Sequence, residues 1–370
     1  MRTRVCEMLG IDVPIFAFSH CRDVVAAVSR AGGIGVLGAL AFTEEQLKIE
    51  LTWIDEHVDG KPYGVDVVMP ASYAGAGDLD PEHMSEQLAA MIPEENMQFI
   101  EKVLAEHGVP KLPEDESVHS LLGWTHEGAR PQVDIALSHP IKLLVNALGP
   151  PPKDIVDLAH DHGVKVAALI GTPAQAQRQV NQGVDIIVAQ GTEAGGHTGE
   201  ISTMVLVPQV VDAVAPVPVL AAGGIGGGRQ MAAAMALGAD GVWTGSIWLT
   251  VAESDMSPIV VEKLLAANSR DTVRSRCMTG KPARQLRTGW TEAWDRKDAP
   301  AFLPMPLQYM STADAQRRIA KYQVRDLVGI PVGQIVGSME AVRPAKDVIF
   351  DMLSEFVDAT KKLDDLLADV

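Results

Sequence analysis

A histidine set among glycines raises the first question of chemistry. In QGTEAGGHTGE (190–200), His197 follows Gly195 and Gly196 in a loop that leaves the apolar run DIIVA (185–189). Imidazole suits proton transfer near neutrality because its unperturbed pKa is about 6.5. Glycines at this point let the backbone pass close to a planar ligand and present the histidine to it. A second glycine-rich stretch, AAGGIGGGRQMAAAMALG (221–238), joins an apolar run to a helix. Its N–H groups can approach a phosphate, and a helix start favours negative charge. WTGS (243–246) closes the next apolar run in the same way. One glycine-rich turn is weak evidence. Two in consecutive loops point to a single phosphate, gripped as in a mononucleotide, because no acid is placed about 20 residues on to hold the ribose of a dinucleotide.

These loops need a frame. Short apolar runs alternate with helical segments along the chain: VPIFAF (13–18), GIGVLG (33–38), YGVDVV (63–68), IKLLVNAL (141–148), VKVAALI (164–170), DIIVA, VPVLAA (217–222) and GVWTG (241–245). Thr172-Pro173 marks one helix start, and Gly183 and Gly238 mark two helix ends. Eight strand–helix repeats predict a TIM (β/α)8 barrel, in which loops after the seventh and eighth strands commonly share a phosphate site. The loop carrying His197 follows the sixth strand and lies beside them on the same face.

Boundaries follow from where the repeat breaks. Residues 1–69 and 133–251 form the barrel, and 70–132 read as a helical insertion after the third strand, either a lid or a helical pad with no gating role. Residues 252–370 form a C-terminal extension packed on the barrel. Within it, MTGKPARQLRTGW and DAPAFLPMPLQYM read as irregular. DVIFDMLSEFVDATKKLDDLL reads as an amphipathic helix whose Val348, Ile349, Met352, Leu353 and Phe356 share a face, a stripe that core or dimer packing explains.

Composition sets limits. The chain has 370 residues, 47% of them apolar and 5% aromatic, which suits strands covered on both faces. Its formal charge of −17 would repel a phosphate backbone, so nucleic acid is not an expected partner. Basic residues gather near 270–297 and 317–325, which read as solvated faces. Cys6, Cys21 and Cys277 fit neither a disulfide framework nor a metal motif, so no metal is expected. The N-terminus lacks a signal-peptide core and no run reaches about 18 apolar residues, which predicts a soluble, cytoplasmic protein without membrane contact.

Taken together, GTEAGGHTGE and AAGGIGGGRQMAAAMALGADGVWTGS resemble the nitronate monooxygenase (2-nitropropane dioxygenase) family. The same pair occurs in the related FMN-dependent enoyl-acyl-carrier-protein reductases. AAVSRAGGIGVLG (26–38), PYGV (62–65), GKPAR (280–284) and GQIVG (333–337) add to the match, which covers roughly 10–68 and 139–340. The resemblance implies an FMN cofactor whose phosphate is held by Gly223, Gly224, Gly245 and Ser246. It implies that Gln190 and Gly196 lie along the flavin, with His197 as catalytic base or hydrogen-bond donor. Glu193 matches the motif too and reads as a brace for the loop. The implied reaction is oxidation of a small alkyl nitronate by molecular oxygen to a carbonyl compound and nitrite. An NAD(P)H-dependent reductase of an enoyl thioester or quinone is the alternative, as is a flavin-binding paralogue without turnover. A homodimer is compatible with all three.

Two departures touch the flavin neighbourhood. The loop after the first strand, FAFSHCRD, is several residues shorter than the family's usual one, and His20 and Cys21 stand where it is cut. The third strand ends in Asp66, where the family commonly has Asn. An ionised carboxylate there would accept hydrogen bonds but could not donate them.

Overall fold

Strands buried on both faces must be apolar along their whole length, and all eight predicted runs become barrel strands. The computed structural model describes residues 1–69, 83–113 and 126–366. The strands are β1 (Ile15–Ser19), β2 (Ile34–Gly38), β3 (Tyr63–Asp66), β4 (Leu143–Asn146), β5 (Lys165–Ile170) and β6 (Ile186–Gln190). A two-residue strand, β7 (Gly196–His197), follows, and then β8 (Val219–Ala222) and β9 (Gly241–Thr244). The order β1-β2-β3-β4-β5-β6-β8-β9 closes on itself, with every neighbour parallel and Ile15 opposite Val242 at the seam.

Alternation along each strand sorts the core into two layers. Phe16, Val36, Leu143, Val145, Ala167, Val188, Leu220 and Trp243 fill the barrel. Ile15, Leu37, Tyr63, Val65, Leu144, Ile187 and Val242 face the surrounding helices instead. The helix Arg4–Leu9, which the sequence reading did not anticipate, belongs with the interior: Val5, Cys6 and Leu9 are buried against that inner layer. Predicted helix ends hold. Thr172 accepts from Gln175 N, and Gly183 and Gly238 take left-handed backbones (φ +94° and +99°).

The segment around GKPAR is not irregular. Two further strands, β10 (Thr272–Ser275) and β11 (Ala283–Leu286), pair antiparallel, and β11 pairs in turn with β7. A three-stranded sheet thus holds the histidine loop, with His197 opposite Ala283 and Gly196 opposite Arg284. The run LQYM likewise opens the helix Leu307–Lys321. The basic runs are also not simply solvated. Arg318 is 4% exposed and donates to Glu101 and to the carbonyls of Val109 and Pro110, and Arg284 is 8% exposed. Arg318 therefore ties the helix Glu94–Glu106 to the C-terminal extension, and the Phe99 ring meets Trp294 edge-on at 5.1 Å.

The closing helix, Ala345–Asp365, packs its apolar stripe on the core: Ile349 and Met352 are buried, with Val348, Leu353 and Phe356 against them. It lies against the helix Gly228–Ala236 so tightly that a Cβ at Gly228 would stand 2.0 Å from Met352 O. Much of the MPASYAGAGDLDPEH stretch lies outside the described residues, as does the end of HGVPKLPEDES. Among the described residues no helix is long and apolar enough to cross a membrane.

Candidate active site

The C-terminal mouth of the barrel collects the residues of interest. On β3, Tyr63 and Val65 face the helices, so Gly64 and Asp66 face inward. On β6, Ile186 and Val188 line the interior, so Gln190 faces inward as well. Each is the last residue of its strand. In barrels of this kind the chemistry sits at that end, because the loops leaving the strands converge there.

The loop after β6 is braced from three sides. Glu193 accepts from Thr203 N (3.0 Å) and lies 2.9 Å from the Thr203 hydroxyl, which is also 2.9 Å from Gly223 O. One threonine thereby links the histidine loop to the glycine turn. Gln334 N donates to Glu193 O at 2.9 Å, and Gly333 N donates to Ser246 Oγ at 2.8 Å. Gly195 has a different role from the one expected of it. A Cβ there would meet Val332 C at 2.8 Å and Gly333 N at 2.9 Å, so it admits the GQIVG backbone rather than a ligand. Gly196 does have open space beside it and a left-handed backbone, φ +75°.

His197 is half-buried, with Nε2 2.7 Å from Thr279 Oγ1. Burial first, and then the Lys281 ammonium, push its imidazole down to about 4. It is therefore neutral at physiological pH. Lys281 is itself half-buried, and desolvation lowers its ammonium. Arg274 Nη2 reaches Thr198 O at 3.3 Å, and Arg284 Nε donates to Thr192 O at 2.8 Å. Three cations thus surround the histidine loop of a chain that is strongly anionic. Thr279, Lys281 and Arg274 were not singled out from sequence. The one signal the sequence offers is GKPAR, which carries Lys281 and Arg284.

The glycine run divides its labour. Gly223 and Gly224 have φ of +95° and +69°, and a Cβ on Gly223 would press on Ala194 N and Gly191 O at 3.0 Å. At Gly245 a Cβ would meet nothing within 4 Å. Gly227 and Gly228 serve another purpose. Gly228 N donates to Glu355 Oε2 at 2.9 Å, so the charge that this helix start attracts is a carboxylate of the closing helix. Ser246 accepts from Gly333 and keeps its own hydroxyl proton to donate.

At the two departures, Cys21 is buried with Sγ 3.3 Å from Glu253 O, whereas His20 is exposed at the mouth with Nδ1 2.9 Å from Gly38 O. Asp66 is 3% exposed. Burial raises its carboxyl to about 8, against a smaller opposing effect from the Ala147 N–H, and Oδ1 has no hydrogen-bond partner. The ionisation on which an acceptor-only carboxylate depends is therefore not met: at neutral pH this group is an acid with a proton to give. Orphaned polar atoms also occur at Thr198 Oγ1 and Arg274 Nε. Together with the open space at Gly245, they fit a polar, phosphorylated ligand at the mouth.

Comparison with known proteins agrees with this geometry. Residues 3–355 match the nitronate monooxygenase family model. A Mycobacterium tuberculosis protein carrying only the general name monooxygenase is 54% identical over 99% of this chain and 100% of its own. A Staphylococcus saprophyticus protein named "Probable nitronate monooxygenase" is 31% identical over 77% of this chain and 79% of its own. Among solved structures, nitroalkane oxidase from Streptomyces ansochromogenes superposes with a TM-score of 0.80 at 26% identity, covering 97% of this chain and 99% of that one. FabK from Thermotoga maritima gives 0.75 at 28%, covering 99% of both. A barrel with a neutral histidine on its sixth-strand loop, together with a family match over nearly its whole length, identifies the chain as a member of the nitronate monooxygenase family of flavin-dependent oxidoreductases.

Proposed function

We propose that the protein binds FMN at the barrel mouth and oxidises small alkyl nitronates with molecular oxygen, giving a carbonyl compound and nitrite. The observation that carries this reading is the neutral His197 beside the Lys281 ammonium, at the same mouth as the Gly223–Gly224 turn. The flavin would supply the electron-accepting ring and its reoxidation by oxygen. Gly223, Gly224, Gly245 and Ser246 would hold its phosphate through backbone N–H groups and the serine hydroxyl. Gln190 and Gly196 would border the ring, one as an inward amide and the other as open backbone.

The electrostatics favour an anionic substrate. A histidine held at about 4 has lost much of its basicity, and an imidazolium next to Lys281 would be repelled. Removing a carbon-bound proton from a neutral nitroalkane is therefore poorly supported, whereas a preformed nitronate gains from both groups. Lys281 attracts its charge and the neutral imidazole hydrogen-bonds an oxygen of the nitro group. His197 orients the anion, and Thr279 orients His197.

Mass spectrometry of the released ligand should find FMN. Recovery of FAD, or no flavin with none taken up on addition, would remove the flavin reading. In anaerobic flavin reduction by preformed nitronate, His197→Asn should lose about ten- to a hundredfold, the worth of one charge-assisted hydrogen bond. The same variant should lose a similar factor with the neutral nitroalkane. A selective loss of about 10²–10⁴-fold on the neutral form would make His197 a general base instead. Unchanged activity on both would make it structural. Rapid anaerobic bleaching of the flavin by NAD(P)H would transfer the protein to the reductases.

A further inference from the structure

The inward face of β3 presents a group that the proposed chemistry does not use. Asp66 ends that strand at the mouth, 3% exposed, with one carboxyl oxygen unpartnered inside the protein. Its register partners are Gly38 on β2 and Val145 on β4, neither of which offers a side-chain donor. The backbone carbonyl of Asp66 is taken up by Ala39 N at 2.8 Å, so the strand end is fixed while the carboxyl is not. A buried polar group without a partner costs free energy unless a ligand or ordered water completes it. On the same inward face stands Gln190, four barrel strands round in chain order if β3 itself is counted. We propose that Asp66 is held as a neutral carboxylic acid and donates its proton to a hydrogen-bond acceptor on the ring of the bound flavin, so that binding of the cofactor depends on this acid staying protonated. The inference rests on the flavin reading above.

The surroundings bear on which group titrates. On the β2 side the titratable neighbour is His20, whose Nδ1 lies 2.9 Å from Gly38 O and whose ring a Cβ on Gly38 would strike at 2.6 Å. From β4, Asn146 is committed to Met69 N, Met69 O and Gly149 O and carries no charge. From β6, Gln190 does not titrate. The residues after the strand, Val67, Val68 and Met69, are apolar and buried. Among the described residues, burial and the Ala147 N–H alone govern the Asp66 carboxyl, and no charged side chain contributes. Its ionisation near pH 8 would place an unpaired charge beneath the cofactor, so binding above that pH must take up one proton.

The test measures the FMN dissociation constant of the full-length protein from pH 7 to 9.5 by flavin fluorescence. The phosphate of FMN is already doubly ionised through this range, its second pKa being about 6. Wild type should bind with constant affinity to about pH 8 and then weaken about tenfold per pH unit. Asp66→Asn, which keeps a donor that cannot ionise, should bind with no such slope. Asp66→Leu should bind about tenfold more weakly than wild type at pH 7, again without a slope. His20→Asn should keep the wild-type slope. A second readout needs no flavin: the infrared stretch of a protonated carboxyl should be present at pH 7 and missing in Asp66→Asn. A flat wild-type profile, a slope retained in Asp66→Asn or lost in His20→Asn, or absence of that band would overturn the proposal. Failure of every protein to bind FMN at any pH would instead overturn the flavin reading.

Discussion

Two buried aspartates sit at opposite ends of the same barrel and are treated in opposite ways. Asp240, just before β9, receives Arg4 Nε and Nη2 at 2.6 Å each and Val219 N at 3.1 Å. Asp66, at the end of β3, has an oxygen with no partner and a carboxyl raised to about 8. Both side chains avoid solvent, so burial alone does not separate them. The difference lies in completeness. A carboxylate whose bonds are filled by its own chain stitches the N-terminal helix to the barrel floor, and the one at the mouth keeps an oxygen that its own chain does not fill, which the proposed flavin would complete. The floor serves stability and the mouth serves chemistry, as the barrel architecture leads one to expect.

The sharpest way to break this contrast is to replace each carboxyl group in turn. In flavin-free protein, Asp66→Asn should raise stability, with the largest gain at high pH. The unfolded carboxyl ionises near its ordinary value while the folded one resists until about 8. The Asp66 contribution to wild-type stability is therefore full below about pH 4 and is lost as pH rises towards 8. The gain in the variant should be near zero at pH 4 and on the order of 4 kcal/mol at pH 7, read by chemical denaturation at several pH values. A gain independent of pH would mean that Asp66 is buried in its ionised form. Asp240→Ala should do the reverse, costing about 2–3 kcal/mol by stranding Val219 N–H and Arg4, with FMN affinity unchanged in whatever fraction folds. An affinity change there would blur the two ends.

A smaller effect tests the mouth from the phosphate side. Gly224→Val forces a β-branched residue into φ +69° on a loop where a Cβ meets only the Glu193 side chain, at 3.6 and 3.9 Å. FMN binding should weaken by about tenfold or more, or 1.5–3 kcal/mol, in a variant whose near-ultraviolet circular dichroism is native. Unchanged affinity would take this turn out of the cofactor site.

How far the sequence reveals all this depends on what each feature rests on. The eight barrel strands are legible because parallel strands covered on both faces read as continuous apolar runs. The strands β10 and β11 carry arginines and other polar residues, so TVRS and ARQL offer no such run. Glycine-rich loops are legible as places of close approach, but not what approaches: at Gly195 it is the Val332–Gly333 backbone, and at Gly228 the closing helix. His197 stands out among its glycines, but the burial that chiefly keeps it neutral comes only with folding, and Lys281 and Thr279, which add to that effect and hold the ring, come from a distant segment. Asp66 is visible as an acid, but its protonation follows from a burial that only the folded strands create.

The stitching of Glu193 O and Ser246 Oγ by Gln334 and Gly333 has a consequence for how the protein is made. A ribosome emits the chain from the N-terminus, so the eight barrel strands are complete while residues 333 and 334 have yet to be synthesised. Until then Ser246 Oγ and the carbonyl of Glu193 lack the donors that fix them. The nascent barrel has its walls before these two bonds at its mouth can form, and firm retention of the proposed flavin would belong to the last stage of biosynthesis.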